Sequence, residues 1–480
     1  MIGLFKKKEQ NIKIDLSNSF NWFKNLDKQK FQLSNQDLDK RLSQSKIVYK
    51  FLKSDKGKNL LNSIFLEMTD IGFPEISSKT ELDLLIEIFS PETLNQIFFN
   101  TSNGFINSNY SGKFKQTIKI SENYGYVIAP KGLVLIVGSS NTILPVITSI
   151  ILSYICGNVS VCQLSKLNKA IIKKFVDGIP SDCTNYVHYT NLDHNIPSDE
   201  SILKELLVQV PWNVINVWGG EEANNFYFQN VAKNLNRPKI INMEPLTGIV
   251  IIQKSFLENN LEKVSKDLAR SITEMGQQLC SSPTEGFILN DTNDYQIDDI
   301  FFNKLVGYLE ELYIEFSDFE SNYFRLDRML TYAQDNNSKV YNSKKYGNKI
   351  SIIRSDSKSV FSDINDNQHL SIHERRNFLE LINTTDFNSV LKLINSINLK
   401  KTHKEIKKIQ TILVFGNKEF NTKVLKLAKN ISAYRIVDAN YIFERHPLEA
   451  LDGIHLVNEF TYQISIIGSI PYNQNINEKI

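Results

Sequence analysis

Cysteine is scarce and unpatterned in this chain: Cys156, Cys162, Cys183 and Cys280 stand at irregular spacings. Four such residues make neither a disulfide framework nor a zinc site, so a reducing, cytoplasmic setting is expected, without a bound metal. Charge of one sign is also lacking. The net charge is +2 over 480 residues with no long basic block, which argues against a nucleic-acid groove. Long apolar runs are missing too. The most apolar stretch, Ile143 to Cys156, is interrupted by Pro145, Thr148, Ser149 and Ser153; it falls short of a membrane span and reads as a buried helix. Met1 to Phe5 followed by Lys6-Lys7-Lys8 is too short and wrongly ordered for a signal peptide. The Gly-x-Gly-x-x-Gly dinucleotide fingerprint is absent, and none of the seven histidines is placed by sequence to serve Cys280 as a base.

What remains is an ordinary globular composition, long enough for two or more cores. Residues 1–110 read as short helices whose role is packing. From Gln116 the period changes. Thr117–Ile120 and Tyr124–Ala129 alternate as strands, with Pro130-Lys131-Gly132 as a turn. Strands at Leu133–Val137, Val159–Gln163, Tyr186–Tyr189 and Val214–Val217 then alternate with helices at Ile143–Ile155, Lys169–Val176, Ile202–Val208 and Glu221–Leu235. Strands Lys239–Asn242 and Ile249–Ile252 close the series. Apolar strands alternating with helices mean a doubly wound parallel sheet covered on both faces. Such sheets bind ligands at the carboxyl ends of their strands. That singles out loops 138–141 (Gly138, Ser139, Asn141) and 218–220 (Trp218, Gly219, Gly220). Each enters a helix N-terminus, where backbone N–H groups suit a pyrophosphate; a glycine that merely eases a turn is the bland reading of either.

The chain is organised around Glu274-Met275-Gly276-Gln277-Gln278-Leu279-Cys280-Ser281-Ser282-Pro283. Leu261, Val264, Leu268, Ile272 and Met275 recur at helical spacing, with Asn259 as N-cap and Glu262 in capping-box position. That helix runs out near Gly276 and delivers Cys280 to a loop of small polar residues before Pro283. A cysteine taken alone is most often buried and structural; one presented on a loop is placed to react. Cys156 and Cys162, on a buried helix and strand, read as inert. Beyond it, strand Phe287–Asn290 and helix Ile300–Leu312 precede a polar stretch, 313–370. A second α/β pattern then follows: strands at Leu379–Ile382, Gln410–Phe415 and Arg435–Val437, helices at Phe387–Ile397 and Asn421–Lys429. A strand-like Ile464–Ile467 ends it.

The landmarks Pro130-Lys131-Gly132, Asn141, Pro145, Gly157-Asn158, Trp218-Gly219-Gly220-Glu221-Glu222-Ala223, Gln277-Gln278-x-Cys280-x-Ser282-Pro283, Arg435-Ile436-Val437 and Asp452-Gly453 occur in order. Together they resemble the long-chain acyl-thioester (fatty acyl-CoA) reductases of the bacterial bioluminescence type, within the aldehyde dehydrogenase superfamily. The resemblance spans roughly residues 120 to 465. It implies an aldehyde-dehydrogenase-like α/β fold in four parts. These are a helical N-terminal region (1–110), a doubly wound cofactor domain with a strand arm (111–255), a catalytic α/β domain (256–445) and an oligomerisation tail (446–480). It also implies NADPH-dependent reduction of a fatty acyl thioester to an aldehyde, with NADH left open. Cys280 would carry the acyl group, and the Asn141 amide, with the cysteine's own N–H, would form the oxyanion hole. Gly138, Ser139, Gly219, Gly220 and Glu221 would lie at the cofactor, as would Gln163, which stands where the superfamily has a ribose-contacting lysine, with Lys166 close by. A homo-oligomer is implied, with an acyl-activating synthetase and an acyl transferase as partners. Two other readings compete: an aldehyde oxidiser or acyl hydrolase using Glu244, and a non-catalytic acyl-thioester or carrier-binding protein.

Overall fold

The fold is taken from a computed structural model. It describes residues 19–73, 75–100, 117–119, 124–139, 142–166, 168–190, 192, 196–243, 246–277, 279–291, 296–313, 326, 329–330, 332–334, 338–356, 376–399, 408–438, 441 and 449–467. Of the residues singled out by sequence, Asn141, Glu244, Gln278 and five histidines (His194, His369, His373, His403, His446) lie outside these. The chain divides into two compact units: Met1–Ile71 with Lys79–Glu244 and Pro447–Ile480, and Gly72–Ser78 with Pro245–His446.

The first unit holds strands β1 (Thr117–Lys119), β2 (Tyr124–Pro130), β3 (Leu133–Val137), β4 (Val159–Gln163), β5 (Val187–Thr190), β6 (Val214–Trp218) and β7 (Lys239–Met243). Strands β3 to β7 form a parallel sheet in the order β5-β4-β3-β6-β7. The chain winds outward from β3 through β4 to β5, then returns to β6 on the other side of β3. The order therefore reverses between β3 and β6, and such a switch point opens a crevice at the carboxyl ends of its two strands. β3 and β4 are buried at every position, which is why Leu-Val-Leu-Ile-Val is apolar without alternation.

The helix Leu144–Cys156 packs on this sheet and is buried from Val146 onward. It starts with Pro145 in its first turn and ends on Gly157, whose φ of 96° is a left-handed cap. Its last carbonyls are further satisfied by Arg41, a fully buried guanidinium donating from Nε to the Ile155 carbonyl at 2.7 Å; a cation suits a helix C-terminus. Asn158 then ties three segments together. Its Oδ1 accepts from Gly132 N–H at 2.6 Å, and its Nδ2 donates to the carbonyls of Ser153 (3.2 Å) and Phe460 (3.0 Å). The Gly157-Asn158 landmark is thus a buried brace.

The second unit holds β8 (Leu246–Gln253), β9 (Pro283–Leu289), β10 (Ser338–Ser343), β11 (Gly347–Asp356), β12 (Phe378–Thr384), β13 (Lys408–Phe415) and β14 (Arg435–Asp438). Their sheet runs β10-β11-β12-β9-β8-β13-β14 and is parallel except for the β10–β11 pair. Helices Leu261–Thr273 and Gln296–Glu311 cover one face, through a core that includes Val264, Leu268, Ile272, Phe302 and Leu305. Helices Phe387–Leu399 and Lys418–Asn430 cover the other with Val390, Ile394, Val424 and Leu427. The expectation that Ile249–Ile252 closes the first series is corrected: it is β8, between β9 and β13 in this second sheet. An apolar run carries the burial of a strand but not the identity of the sheet it joins.

Back in the first unit, β15 (Thr461–Ile467) pairs antiparallel with β2, which also pairs with β1. Tyr462, Ile464 and Ile467 on this small sheet are exposed, Ile467 at 73%. Asp452 (φ 50°) and Gly453 (φ 77°) form a turn before the helix Leu456–Phe460. Among the described residues, no helix is long and apolar enough to cross a membrane.

Candidate active site

In the second unit, helix Leu261–Thr273 leads into a 3-10 turn, Glu274–Gln277. Its start differs from the sequence expectation by one residue. Asn259 ends a preceding short helix, Lys254–Asn259, and the Asn260 carbonyl accepts the first bond, from Val264 N–H at 2.9 Å. Gly276 (φ 58°) and Gln277 (φ 60°) then both turn left-handed, a conformation glycine adopts freely and glutamine at a cost. Three hydrogen bonds offset that cost. The buried Gln277 side chain donates from Nε2 to the carbonyls of Pro283 (2.8 Å) and Phe378 (2.7 Å), and its Oε1 accepts from Phe378 N–H (3.1 Å). Gln277 thus ties both ends of the cysteine loop to the amino end of β12.

Inside that tie, Leu279-Cys280-Ser281-Ser282 is a β-turn, closed by Ser282 N–H donating to the Leu279 carbonyl at 3.0 Å. Cys280 sits at its second position and is half-buried, whereas Ser281 and Ser282 are buried. β8 passes directly beneath. A Cβ on Gly248 would lie 2.4 Å from the Ser281 carbonyl oxygen and 2.7 Å from that of Ser282, so only glycine admits this approach. Thr247 and Thr284 add a buried hydroxyl pair at 3.0 Å. The result is a half-buried cysteine on a turn held by Gln277 and by the close approach of β8.

The other three cysteines are buried in the first unit, and burial pushes all three thiols up, Cys156 to about 12. A thiol held protonated is a poor nucleophile. Of the histidines, His188 binds Gln29 Oε1 at 2.6 Å, and burial lowers its pKa to about 4; His455 precedes the short helix Leu456–Phe460. Because Gln277 acts through three bonds, Gln277→Leu is expected to leave the Pro283 and Phe378 backbone groups unpaired. The cost is about 1–3 kcal/mol for each buried group so exposed, and the measurement is chemical denaturation together with the rate of Cys280 alkylation.

In the first unit, the loops that sequence reasoning singled out leave the carboxyl ends of the neighbouring strands β3 and β6. Gly138 is closely packed, its would-be Cβ 3.1 Å from Val146 and 3.2 Å from Leu164. Ser139 Oγ is buried without a hydrogen-bond partner. Gly219 is held by Asn224, whose Nδ2 donates to its carbonyl at 3.0 Å. Gly220 is the N-cap of helix Glu221–Val231, with no side-chain cap and open space where a Cβ would stand. Its neighbouring N–H groups have no partners within the helix. An orphaned hydroxyl, a glycine cradle and an uncapped helix end fit the phosphates of a dinucleotide. Trp218 is fixed rather than loose: its Nε1 donates to Ser149 Oγ at 3.0 Å, as does Asn216 Nδ2 at 2.9 Å.

Gln163, expected at the cofactor, is buried at the end of β4, where its Oε1 accepts from the Thr190 hydroxyl and its Nε2 donates to the Leu192 carbonyl. Those bonds direct its amide toward the β5 side. Lys166, three residues on, is exposed. Sequence reasoning missed Gly248, Asn168 and Glu81. Gly248 had a signal, since an isolated glycine in a strand marks a bulge or a close backbone approach. The other two had none: an acidic residue in an amphipathic helix and an asparagine in a loop ordinarily face water.

Among the described residues, no cluster of His, Cys, Asp or Glu could hold a metal ion. No curated protein matches the chain by sequence. Solved structures do match it. A succinic semialdehyde dehydrogenase from Streptococcus pyogenes in complex with NADP+ aligns over 95% of both chains, with 13% identity and a TM-score of 0.66. A NAD-dependent benzaldehyde dehydrogenase from Corynebacterium glutamicum aligns over 94% of this chain and 91% of its own, with 12% identity and a TM-score of 0.66. The glyceraldehyde-3-phosphate dehydrogenase GapN of Methanocaldococcus jannaschii, complexed with NADP, aligns over 95% and 94%, with 16% identity and a TM-score of 0.62. At such identities the likeness establishes an aldehyde-dehydrogenase-like fold. The family model described as acyl-CoA reductase (LuxC) matches residues 117–462, and the chain therefore belongs to the LuxC acyl-CoA reductase family.

Proposed function

We propose that this chain reduces a long-chain fatty acyl thioester to the fatty aldehyde, with NADPH as reductant and Cys280 as the carrier of the acyl group. The observation that carries the reading is the Cys280 turn. In a chain of this family, one thiol is half-exposed on a turn pinned by Gln277 and undercut by Gly248, while three are buried.

The Cys280 thiolate attacks the thioester carbonyl carbon; the new C–S bond forms, the bond to the donor sulfur breaks, and the donor leaves as a thiolate that takes up a proton. Thiol exchange of this kind needs no activated water. A bound nicotinamide supplies the hydride that reduces the acyl carbon. The resulting oxyanion expels the Cys280 sulfur, which releases aldehyde and restores the thiolate. We assign the oxyanion to the Asn141 amide and the Cys280 N–H, donors worth about 3–4 kcal/mol each in a transition state.

Gly138, Ser139, Gly219, Gly220 and the first turn at Glu221 are assigned to the cofactor's phosphates, and the fit of that crevice supports the assignment. Relatives of the same fold have been solved with NADP+ and with NAD+. The choice of NADPH is supported by the end of β4. In dinucleotide folds an acidic residue at the end of the second strand binds the ribose 2′-hydroxyl, and a basic residue there accepts a 2′-phosphate. Here that end reads Gln163-Leu164-Ser165-Lys166, with Lys169 following. Lys166→Glu is expected to raise KM for NADPH about tenfold or more, as a reversed charge at a phosphate does, with KM for NADH little changed; steady-state kinetics with both cofactors decides this.

The exposed apolar residues of the β1-β2-β15 sheet support a homo-oligomer formed through that arm. A cytoplasmic location and association with an acyl-activating synthetase and an acyl transferase complete the proposal. The test is NADPH oxidation across a series of acyl-CoA chain lengths with the aldehyde trapped as a hydrazone. One aldehyde per NADPH, favouring long chains, supports the reading; free fatty acid, or no saturable NADPH binding, contradicts it.

A further inference from the structure

Glu81 lies on helix Glu75–Ile88 and is 1% exposed. Its carboxylate reaches the start of the helix that follows β3. Oε1 accepts from the Thr142 hydroxyl, and Oε2 accepts from the Ile143 N–H at 3.1 Å. Ile143 is the N-cap residue of helix Leu144–Cys156 and provides no side-chain cap, so Glu81 supplies from a distant part of the chain the acceptor that a serine or aspartate normally supplies locally.

A second buried side chain holds the same loop from the opposite flank. Asn168 is fully buried, and its Nδ2 donates to the Ser139 carbonyl at 2.9 Å and to the Thr142 carbonyl at 3.1 Å. Ser165 Oγ adds a bond to the Ser139 carbonyl at 3.2 Å. Residues 139, 142 and 143 are thereby fixed by side chains from two other segments, although the loop contains no proline and carries small residues. Burying a carboxylate is expensive, and a serine cap would serve helix stability at far lower cost. Loop placement is what this arrangement adds.

We propose that Glu81, assisted by Asn168, is the positioning residue of the β3 loop, setting where Ser139, Thr142 and Ile143 stand for the reductase reaction. The inference rests on the proposed reductase activity for its kinetic consequence only; the structural consequence is independent of it. Burial pushes the Glu81 carboxyl up to about 7, against the pull of its two hydrogen bonds. No charged group figures among the causes of that shift. Helix Leu144–Cys156 carries no Asp, Glu, Lys or Arg, its titratable groups being Tyr154 and Cys156 near the opposite end. Lys79 and Asp83, two positions either side on Glu81's own helix, are exposed, and on the Asn168 side Lys169 is partly exposed.

Between the ordinary carboxylate range and about 7, the folded chain keeps a proton that the unfolded chain has released, so this group makes stability fall as pH rises through that window. Above it the ionised carboxylate accepts from both donors; below it one oxygen carries a proton and can serve only one of them well.

Glu81→Gln and Glu81→Asp test the proposal. Hydrogen exchange followed by mass spectrometry is expected to show the amides of 142–147 exchanging about tenfold faster in Glu81→Gln, the loss of roughly one hydrogen bond, with the second unit unchanged. For aldehyde formation, kcat is expected to fall about 10²-fold, as for a small misplacement of a reacting group. The neutral-pH inflection of wild-type kcat/KM disappears in Glu81→Gln and persists in Glu81→Asp. The rate of Cys280 alkylation stays at the wild-type value. Unchanged exchange at 142–147, or an unchanged kcat and pH profile in Glu81→Gln, overturns the proposal. Faster exchange in the variant alongside a wild type that forms no aldehyde leaves the positioning role standing and overturns the reductase reading instead.

Discussion

Replacing Cys280 with serine is expected to lower aldehyde formation by at least about 10³-fold, the scale on which loss of a nucleophile acts, with circular dichroism and thermal unfolding close to wild type. The physical reason is that backbone and neighbouring side chains hold the turn in shape, and serine leaves them in place. The turn is closed by Ser282 N–H and the Leu279 carbonyl, and it is anchored by Gln277 and Gly248. Serine fits the same space but offers a hydroxyl, which is not ionised at neutral pH and exchanges poorly with a thioester. The same substitution at Cys156, Cys162 or Cys183 exchanges one small buried group for a polar one, so stability moves while the acyl chemistry remains. Parallel assays of the four variants separate these outcomes.

Gly248→Val is expected to damage both stability and acyl transfer. Its first side-chain carbon would stand 2.4 Å from the Ser281 carbonyl oxygen and 2.7 Å from the Ser281 carbonyl carbon. Backbone on both sides cannot rotate away as a side-chain tip can. Either β8 leaves its register with β9, where Gly248 pairs with Pro283, or the Cys280 turn moves. Overpacking of this kind costs about 1–3 kcal/mol, and a displaced turn costs activity on the order of 10²-fold. Gly307→Ala is the matching control. Gly307 lies within helix Gln296–Glu311 with nothing near its would-be Cβ, so alanine there is expected to stabilise by about 0.5–1 kcal/mol. Urea denaturation and the acyl-transfer rate distinguish a turn that has moved from one that has only become less stable.

How much of this was legible in the sequence depended on whether the determining contact was local. Strands β3 and β4 were legible to the residue, since Leu-Val-Leu-Ile-Val and Val-Ser-Val-Cys each form an apolar or small run between turn signals. Cys280 was legible as a cysteine on a loop that follows a helix, and loops 138–139 and 218–220 as carboxyl ends of parallel strands. Strand β8 was legible as a strand and misplaced as a partner, because burial on both faces looks the same in either sheet. The β10–β11 hairpin was missed: Ser-Lys-Val-Tyr-Asn-Ser at a sheet edge has little apolar signal. Gln163 was found at the right strand end, but its engagement by Thr190 and Leu192 was invisible, since both partners lie some thirty residues away. Glu81 was invisible for the same reason, bonded across 61 and 62 positions to Thr142 and Ile143.

The most direct measurement is the intact mass of the protein after incubation with a long-chain acyl-CoA without cofactor, followed by addition of NADPH. The account predicts one acyl increment, removable by neutral hydroxylamine as a thioester is, on the peptide containing Cys280. That increment disappears on NADPH addition while an equal amount of aldehyde forms. An acyl group found on another residue, no adduct at all, or release of free acid in place of aldehyde contradicts it.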